Sequence, residues 1–360
     1  MSVLYLQKRT HRAGAQTCLA RLLRHAGLRE WHPALACSQA GWLTAECERA
    51  AVPCFVEPFP SSRSLTARLF GNAAFARRIH ELTLRRSLSP VIVHANDHLE
   101  GLLGLALARR LAARSAIFLR SPGMTREDYF KYRCREFDLL AVVGDELHAR
   151  VKGWDAARDV KLIHDGIEVG ELAPPKAQAP VFPRKILVIG SALDWKGWAD
   201  LTGALFRLEA EGVLPPLEFD FTGPEPEPAK NDLQLARLAR AQCRFLGRVE
   251  AFRELVLGYD LVINPTRMES FGMAAVEVVA LGVPLLSSRT GIIEQVIQQP
   301  EFLFEASAPM SLAKALGKLL VNWGRPAFDS ARAQQNIREK FLVDHAVAKL
   351  NAEYARLTRD

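Results

Sequence analysis

Short apolar runs that end in Gly, Pro, Asn or Ser recur along this chain, with helix-like stretches between them. In the first half these runs are "VLYLQ" (3–7), "HPALAC", "VPCFVEP", "PVIVHAN", "SAIFLR", "LLAVVG" and "VKLIHDG". In the second half "KILVIG", "LEFDFTG", "CRFLG", "DLVINP" and "VPLLSS" repeat the pattern. Between them lie amphipathic stretches such as "AQTCLARLLRHAG", the long "SLTARLFGNAAFARRIHELTLRR", "ADLTGALFRLEAEG" and "ELVLGY". Continuous apolar runs of this length, alternating with helices, predict parallel strands buried on both faces.

The segment "LAPPKAQAPVFP" (172–183) holds four prolines and few large apolar residues, so it reads as an extended linker. It divides the chain nearly in half. The α/β expectation is therefore two Rossmann-like domains facing across a cleft: 1–172, a linker at 173–183, and 184–330. In such sheets ligands bind beyond the carboxyl ends of the strands.

Composition narrows the functional classes. Hydrophobic residues make up 49% of 360, enough for two cores. The most apolar stretch, "GLLGLALARRLAARSAIFL", is interrupted by Arg109, Arg110 and Arg114, which argues against a membrane span. The N-terminus puts its apolar run before its basic residues, the reverse of a secretory signal, so a cytoplasmic protein is expected. Six cysteines show no CxxC or Cys/His metal spacing and read as buried apolar fillers. The net charge of +7 is uneven: residues 1–175 carry 25 Lys and Arg against 18 Asp and Glu, and residues 176–360 carry 22 of each. A basic first half suits an anionic substrate or membrane surface, or is simply a set of solvated Arg-rich helices. Aromatic–basic interleaving is absent there, so no nucleic-acid partner is expected. Arg77, Arg78, Arg85 and Arg86 are the candidate membrane contacts.

The stretch "NPTRMESFGMAAVEVVALGVP" (264–284) carries the chemistry. A strand ends at Pro265, a loop follows, a helix starts near Gly272, and Gly282 with Pro284 ends it. Gly272, Ala274 and Ala275 leave the helix start bare, where backbone N–H groups favour a phosphate. Glu269 on the loop and Glu277 within the helix are placed to accept hydrogen bonds from sugar hydroxyls and a ribose diol. Two carboxylates so arranged would hold different parts of one ligand, unlike the facing pair of a glycosidase.

With these residues in view, the sequence resembles GT-B glycosyltransferases, in particular retaining family 4 enzymes. "ESFGMAAVEVVALGVP" is similar to that family's E-x7-E signature, continuing through "LLSSRTGIIEQVI". "ILVIGSALDWKGW", "FTGPEPE" and "RFLGRV" resemble its upstream segments. "HRAGAQ", "VIVHANDHLEGLLG" and "VKLIHDGIE" resemble its first-half motifs more loosely. Ser191 stands where the family has a diphosphate-binding Arg, Asn96 replaces the second His of H-x-H-D, and Asp165 replaces an Asn. The resemblance implies a nucleotide-diphosphate-sugar donor on the second half. Lys196, Phe271, Gly272, Met273 and Ala274 would hold the diphosphate, with Gly14 from the first half. Glu277 would hold the ribose, and Gly247, Arg248 and Val249 the base. It implies Glu269, His94 and Asp97 at the catalytic centre, with Asn96 and His98 on the acceptor, and a C-terminal helix over 331–360 that crosses back to the first domain.

There is no Asp-x-Asp triplet, so no metal or other cofactor is expected. The expected partners are the donor, a glycan or lipid-linked acceptor and an anionic membrane surface, on the inner face of a bacterial membrane. Lipopolysaccharide core assembly is one such setting. Three rivals stay open: a nucleotide-sugar epimerase, a phosphorylase, and a non-catalytic nucleotide-sugar-binding protein.

Overall fold

The structure is a computed structural model. It describes residues 1–60, 65–174, 183–224, 235–325 and 327–359, and for residues 65–69 and 236 the backbone alone. Most of the expected linker, residues 175–182, and the end of "FTGPEPE", residues 225–227, lie outside the described residues.

The chain packs as two compact units, Met1–Glu168 with Phe341–Asp360, and Val169–Lys340. Residues 331–340, which the sequence reading placed in the returning C-terminal helix, belong to unit 2. The helix over Val343–Arg359 belongs to unit 1.

In unit 1 seven parallel strands are β1 (Ser2–Gln7), β2 (Ala34–Cys37), β3 (Cys54–Val56), β4 (Pro90–Ala95), β5 (Arg114–Leu119), β6 (Leu139–Val142) and β7 (Lys161–Leu162). Their order is β3-β2-β1-β4-β5-β6-β7. Every residue of β1 is buried, which is why its side chains need no polar alternation. One face of the sheet, with Leu4, Leu6, Val93, Ile117 and Leu119, packs against helices over Leu65–Arg85 and Gly101–Leu111 and the segment after β5. On the opposite face Tyr5 and His94 meet Tyr354 of the Val343–Arg359 helix. That helix buries Val343, Ala346, Val347, Leu350, Tyr354 and Leu357, a stripe at three- and four-residue spacing.

Unit 2 repeats the plan with β8 (Lys185–Val188), β9 (Leu217–Phe221), β10 (Ala241–Phe245), β11 (Leu261–Asn264), β12 (Leu285–Ser288) and β13 (Leu303–Phe304). The order is β10-β9-β8-β11-β12-β13, again with parallel pairing throughout. The two-residue edge strand β13 is too short to leave a sequence pattern.

Both orders reverse direction once, between β1 and β4 in unit 1 and between β8 and β11 in unit 2. A crevice opens at that switch point beyond the strand ends, and ligands of open α/β sheets bind there. Lys8 and Asn96–Glu100 follow the first pair of strands, while Gly190–Lys196 and Pro265–Gly272 follow the second.

Candidate functional site

At the unit 2 switch point, the loops after β8 and β11 are locked together by backbone. Gly197 adopts φ +69°, and a Cβ there would overlap the carbonyl oxygen of Pro265, so only glycine lets the two loops touch. Gly291, after β12, is constrained in the same way against the carbonyl of Phe271, which accepts the N–H of Ile292 at 3.1 Å. Arg267 ties the arrangement from the side. Its Nε and Nη2 donate to the two carboxylate oxygens of Asp200 at 2.7 Å each, its Nη1 donates to Asp194 at 2.9 Å, and its N–H donates to the Trp195 carbonyl at 2.9 Å. The 194–200 loop is therefore held at both ends by one guanidinium.

That clamp places Lys196. Its ammonium forms an ion pair with Glu269 and lies 4.3 Å from the centre of the Trp195 ring. Trp195, which sequence alone leaves without a role, thus gives the lysine an aromatic face to rest on. The two residues assigned to diphosphate and sugar are neighbours, each about one-fifth exposed. Gly272 stands at φ +91°, and the helix over Met273–Ala280 starts directly after it. As at any helix start, the first N–H groups have no acceptor within the helix and carry its positive dipole end. Ala274 there is exposed, Phe271 and Met273 are buried, and Glu277 is half-buried in the second turn. Gly282, at φ +72°, follows the helix's last turn as expected. On the neighbouring strand ends, Gly247 (φ +67°) bridges back to Gly223, with Val249 half-buried and Arg248 exposed. Arg289 is held by Glu294 and by Glu305 at 3.1 Å.

Gly14 lies in unit 1, exposed, as the first residue of the helix over Gly14–Arg24.

The unit 1 switch point holds a second polar cluster. Asp97 caps the turn after β4. Its Oδ1 accepts from the N–H of His98 at 2.8 Å and of Arg120 at 3.2 Å, lies 2.9 Å from His98 Nδ1, and its Oδ2 accepts from Ser121. Burial opposes the charges on both residues. Their mutual hydrogen bond prevails, holding Asp97 below and His98 above their ordinary pKa values. Asn96 donates to Gln7 at 2.5 Å and accepts from Arg120 at 3.0 Å. Arg120, its side chain 3% exposed, also forms a two-pronged pair with Asp165. Arg120 is the centre of this network. Its signal in the sequence is an arginine closing a buried apolar strand, "SAIFLR".

His94 takes a different position from the one the sequence reading gives it. It is 1% exposed on the sheet face under the C-terminal helix, hydrogen-bonded through Nδ1 to Tyr354, stacked on Tyr5 at 4.9 Å and edge-on to Phe118 at 4.7 Å. Burial, with the positive Arg120 nearby, pushes its pKa down to about 3. That enclosure favours the neutral imidazole. The physical reason is position along the strand, since His94 lies within β4 and the strand ends only at Ala95. His94 points to the face covered by Tyr354, and the polar residues that reach the strand end are Asn96 and Asp97.

Glu100 is a further buried group, 4% exposed, with Oε1 accepting the Lys8 N–H at 3.0 Å and Oε2 unpartnered. Burial, then the charge of Asp97, raises its pKa from 4.5 to about 7. A carboxyl that holds its proton more tightly folded than unfolded costs stability as pH rises from 4.5 through about 7. Melting curves at pH 5 and pH 8 should therefore show a larger loss at pH 8 for the wild type than for Glu100→Gln. Identical pH dependence in the two proteins contradicts this account of Glu100.

Comparison with known proteins finds a likeness over the segment that builds the unit 2 site. The model for "Glycosyl transferases group 1" matches residues 183–322, the segment containing Lys196, Arg267, Glu269 and Gly272. N-acetyl-alpha-D-glucosaminyl L-malate synthase of Bacillus anthracis is 30% identical over 132 residues, 36% of this chain and 35% of that protein. The chain spans about a third to a little over half of the length of three of the curated relatives it matches. Among solved structures, Anabaena Alr3699/HepE in complex with UDP and glucose superposes with a TM-score of 0.77 at 17% identity, covering 99% of both chains. The apo lipopolysaccharide outer core galactosyltransferase WaaB superposes with a TM-score of 0.72 at 14% identity, covering 99% of this chain and 100% of that one. At these identities the likeness shows the fold, which is that of the GT-B glycosyltransferases.

Proposed function

We propose that this protein transfers a sugar, with retention of anomeric configuration, from a nucleotide-diphosphate-sugar to a hydroxyl of a glycan or lipid-linked acceptor. The setting that suits it is bacterial cell-surface polysaccharide or lipopolysaccharide core synthesis, with the protein peripheral on the cytoplasmic face of an anionic membrane. The observation that carries this reading is the meeting of Lys196 and Glu269 beside the Gly272 helix start, at the unit 2 switch point. The acceptor's hydroxyl oxygen bonds to the anomeric carbon as the bond from that carbon to the diphosphate breaks; the electron pair of the broken bond leaves with the diphosphate, whose oxygen takes the hydroxyl proton. Lys196 and the N–H groups after Gly272 stand ready for that growing negative charge. Glu269 accepts from sugar hydroxyls, Glu277 from the ribose, and the Gly247–Val249 backbone faces the base. In unit 1, Asp97 organises the acceptor side with Asn96 and His98. HepE, whose structure holds UDP and glucose, supports a donor of this class.

A thermal-shift screen with UDP-, GDP-, ADP- and CMP-sugars tests the reading, since a donor at 100 times its Kd adds about 2.7 kcal/mol. Incubation with the selected donor alone then separates the rivals. A transferase leaks only hydrolysis, whereas conversion to another nucleotide-sugar marks an epimerase. Binding without turnover on any acceptor marks a non-catalytic protein.

The chain has no Asp-x-Asp triplet, and Lys196 with the helix start supplies positive charge. Transfer is accordingly expected to persist in EDTA. A complete loss that Mg²⁺ restores contradicts the metal-free proposal.

A further inference from the structure

Unit 1 carries a groove of about 960 Å³ outside the polar cluster at its switch point. Its floor is apolar and comes from two helices: Ala73, Ala74 and Ala76 of the Leu65–Arg85 helix, and Leu102, Leu105 and Ala106 of the Gly101–Leu111 helix. Phe70 stands at its edge, 78% exposed. Its rim carries Arg77, Arg109, Arg110, Lys131 and Arg133. Against these five cations stand, among the described residues, three carboxylates: Glu81, 4.0 Å from Arg77, Glu136, paired with Arg133 and 3.8 Å from Arg109, and Asp128, near Lys131. The rim keeps a positive excess over an apolar floor.

We infer that this groove docks the anionic lipid surface from which the acceptor is presented. The inference rests on the proposed transfer to a lipid-linked acceptor and locates the membrane contact of that reading. Cationic side chains above an apolar trough match a phosphate headgroup above acyl chain, with long Arg and Lys stems lying along the apolar wall. Each such cation near an anionic leaflet adds to the attraction, which fades within about a Debye length. A nucleic acid would find an alanine- and leucine-lined floor with little to stack on. The floor helix begins directly after Glu100, so Leu102 lies within one turn of the unit 1 polar cluster. Lipid held at that end of the groove brings its headgroup toward Asp97 and His98.

The four arginines suggested by sequence divide differently. Arg78 donates to Glu57 at 3.0 Å and Arg86 lies 4.9 Å over Phe55, both away from the groove, and only Arg77 lines it. The membrane contact therefore moves from one helix to the space between two.

The test is sedimentation of the full chain with phosphatidylglycerol–phosphatidylcholine vesicles across a salt series, beside pure phosphatidylcholine vesicles. The wild type should sediment with the anionic vesicles only, and less so as salt rises. Charge reversal at Arg109, Arg110 and Lys131 should weaken binding by about 100-fold or more. Phe70→Ser should lower the binding that survives high salt. Reversal of Arg78 and Arg86 should change little. Equal loss from that control pair, equal binding to neutral vesicles, or tighter binding to RNA than to vesicles overturns the assignment. A shift of the wild type to a dimer that the triple reversal abolishes, with vesicle binding unchanged, also overturns it. Transfer to a soluble acceptor fragment separates the two readings. Normal transfer without vesicle binding sinks the groove alone, and vesicle binding without transfer sinks the proposed reaction alone.

Discussion

Replacing Glu269 by alanine is expected to lower sugar transfer by at least about 100- to 1,000-fold while nucleoside-diphosphate affinity is kept or tightens. The loss follows from the role proposed for Glu269, whose place on the loop after β11 suits a contact with the sugar rather than the base. The retained affinity follows from the ion pair. In the free protein Glu269 neutralises Lys196, and without it the ammonium is available to the diphosphate at no cost in breaking a pair. Turnover measured at saturating donor, beside calorimetric titration of the nucleoside diphosphate, checks both halves. Near-normal transfer with a collapse in affinity contradicts the assignment of Glu269 to the sugar.

Arg267→Met is expected to produce the second large effect, a loss of about 3–5 kcal/mol in unit 2 stability together with weakened diphosphate binding. Asp200 has a side chain only 8% exposed and is matched by two hydrogen bonds from Arg267. Removing the guanidinium strands that carboxylate and releases the 194–200 loop that carries Lys196. Asp194 is 90% exposed and contributes little to the loss. The double variant Arg267→Met/Asp200→Asn should recover much of the melting temperature, because the buried charge is gone, without recovering diphosphate affinity. Recovery of both properties together would show that the arginine acts on stability alone.

Most of the fold is legible in the sequence because parallel strands covered on both faces must be continuous apolar runs, and twelve such runs stand out between turn residues. The strand order and the two-residue β13 are not legible, since they depend on which runs pair and on an edge too short to show a pattern. The unit 2 site reads well for a local reason. Glu269, Gly272 and Glu277 lie within nine residues of one loop–helix junction, and Lys196 precedes a glycine that the backbone geometry requires. Arg267 sat within the quoted stretch without being singled out, because its partners Asp194 and Asp200 are about seventy residues away. In unit 1, His94 and Asn96 share strand parity, and position alone separates them: His94 lies within β4 under Tyr354, whereas Asn96 follows the strand's last residue, Ala95.

The central claim is that Lys196, beside the Gly272 helix start, binds the diphosphate of a nucleotide-sugar. Calorimetric titration of the nucleoside diphosphate picked out by the donor screen into wild type and Lys196→Ala tests it most directly. A lost charge-assisted contact predicts an affinity about 10- to 100-fold weaker in the variant, with its own melting temperature close to wild type. Equal affinity in the two proteins contradicts the claim and returns Lys196 to an ordinary loop lysine paired with Glu269.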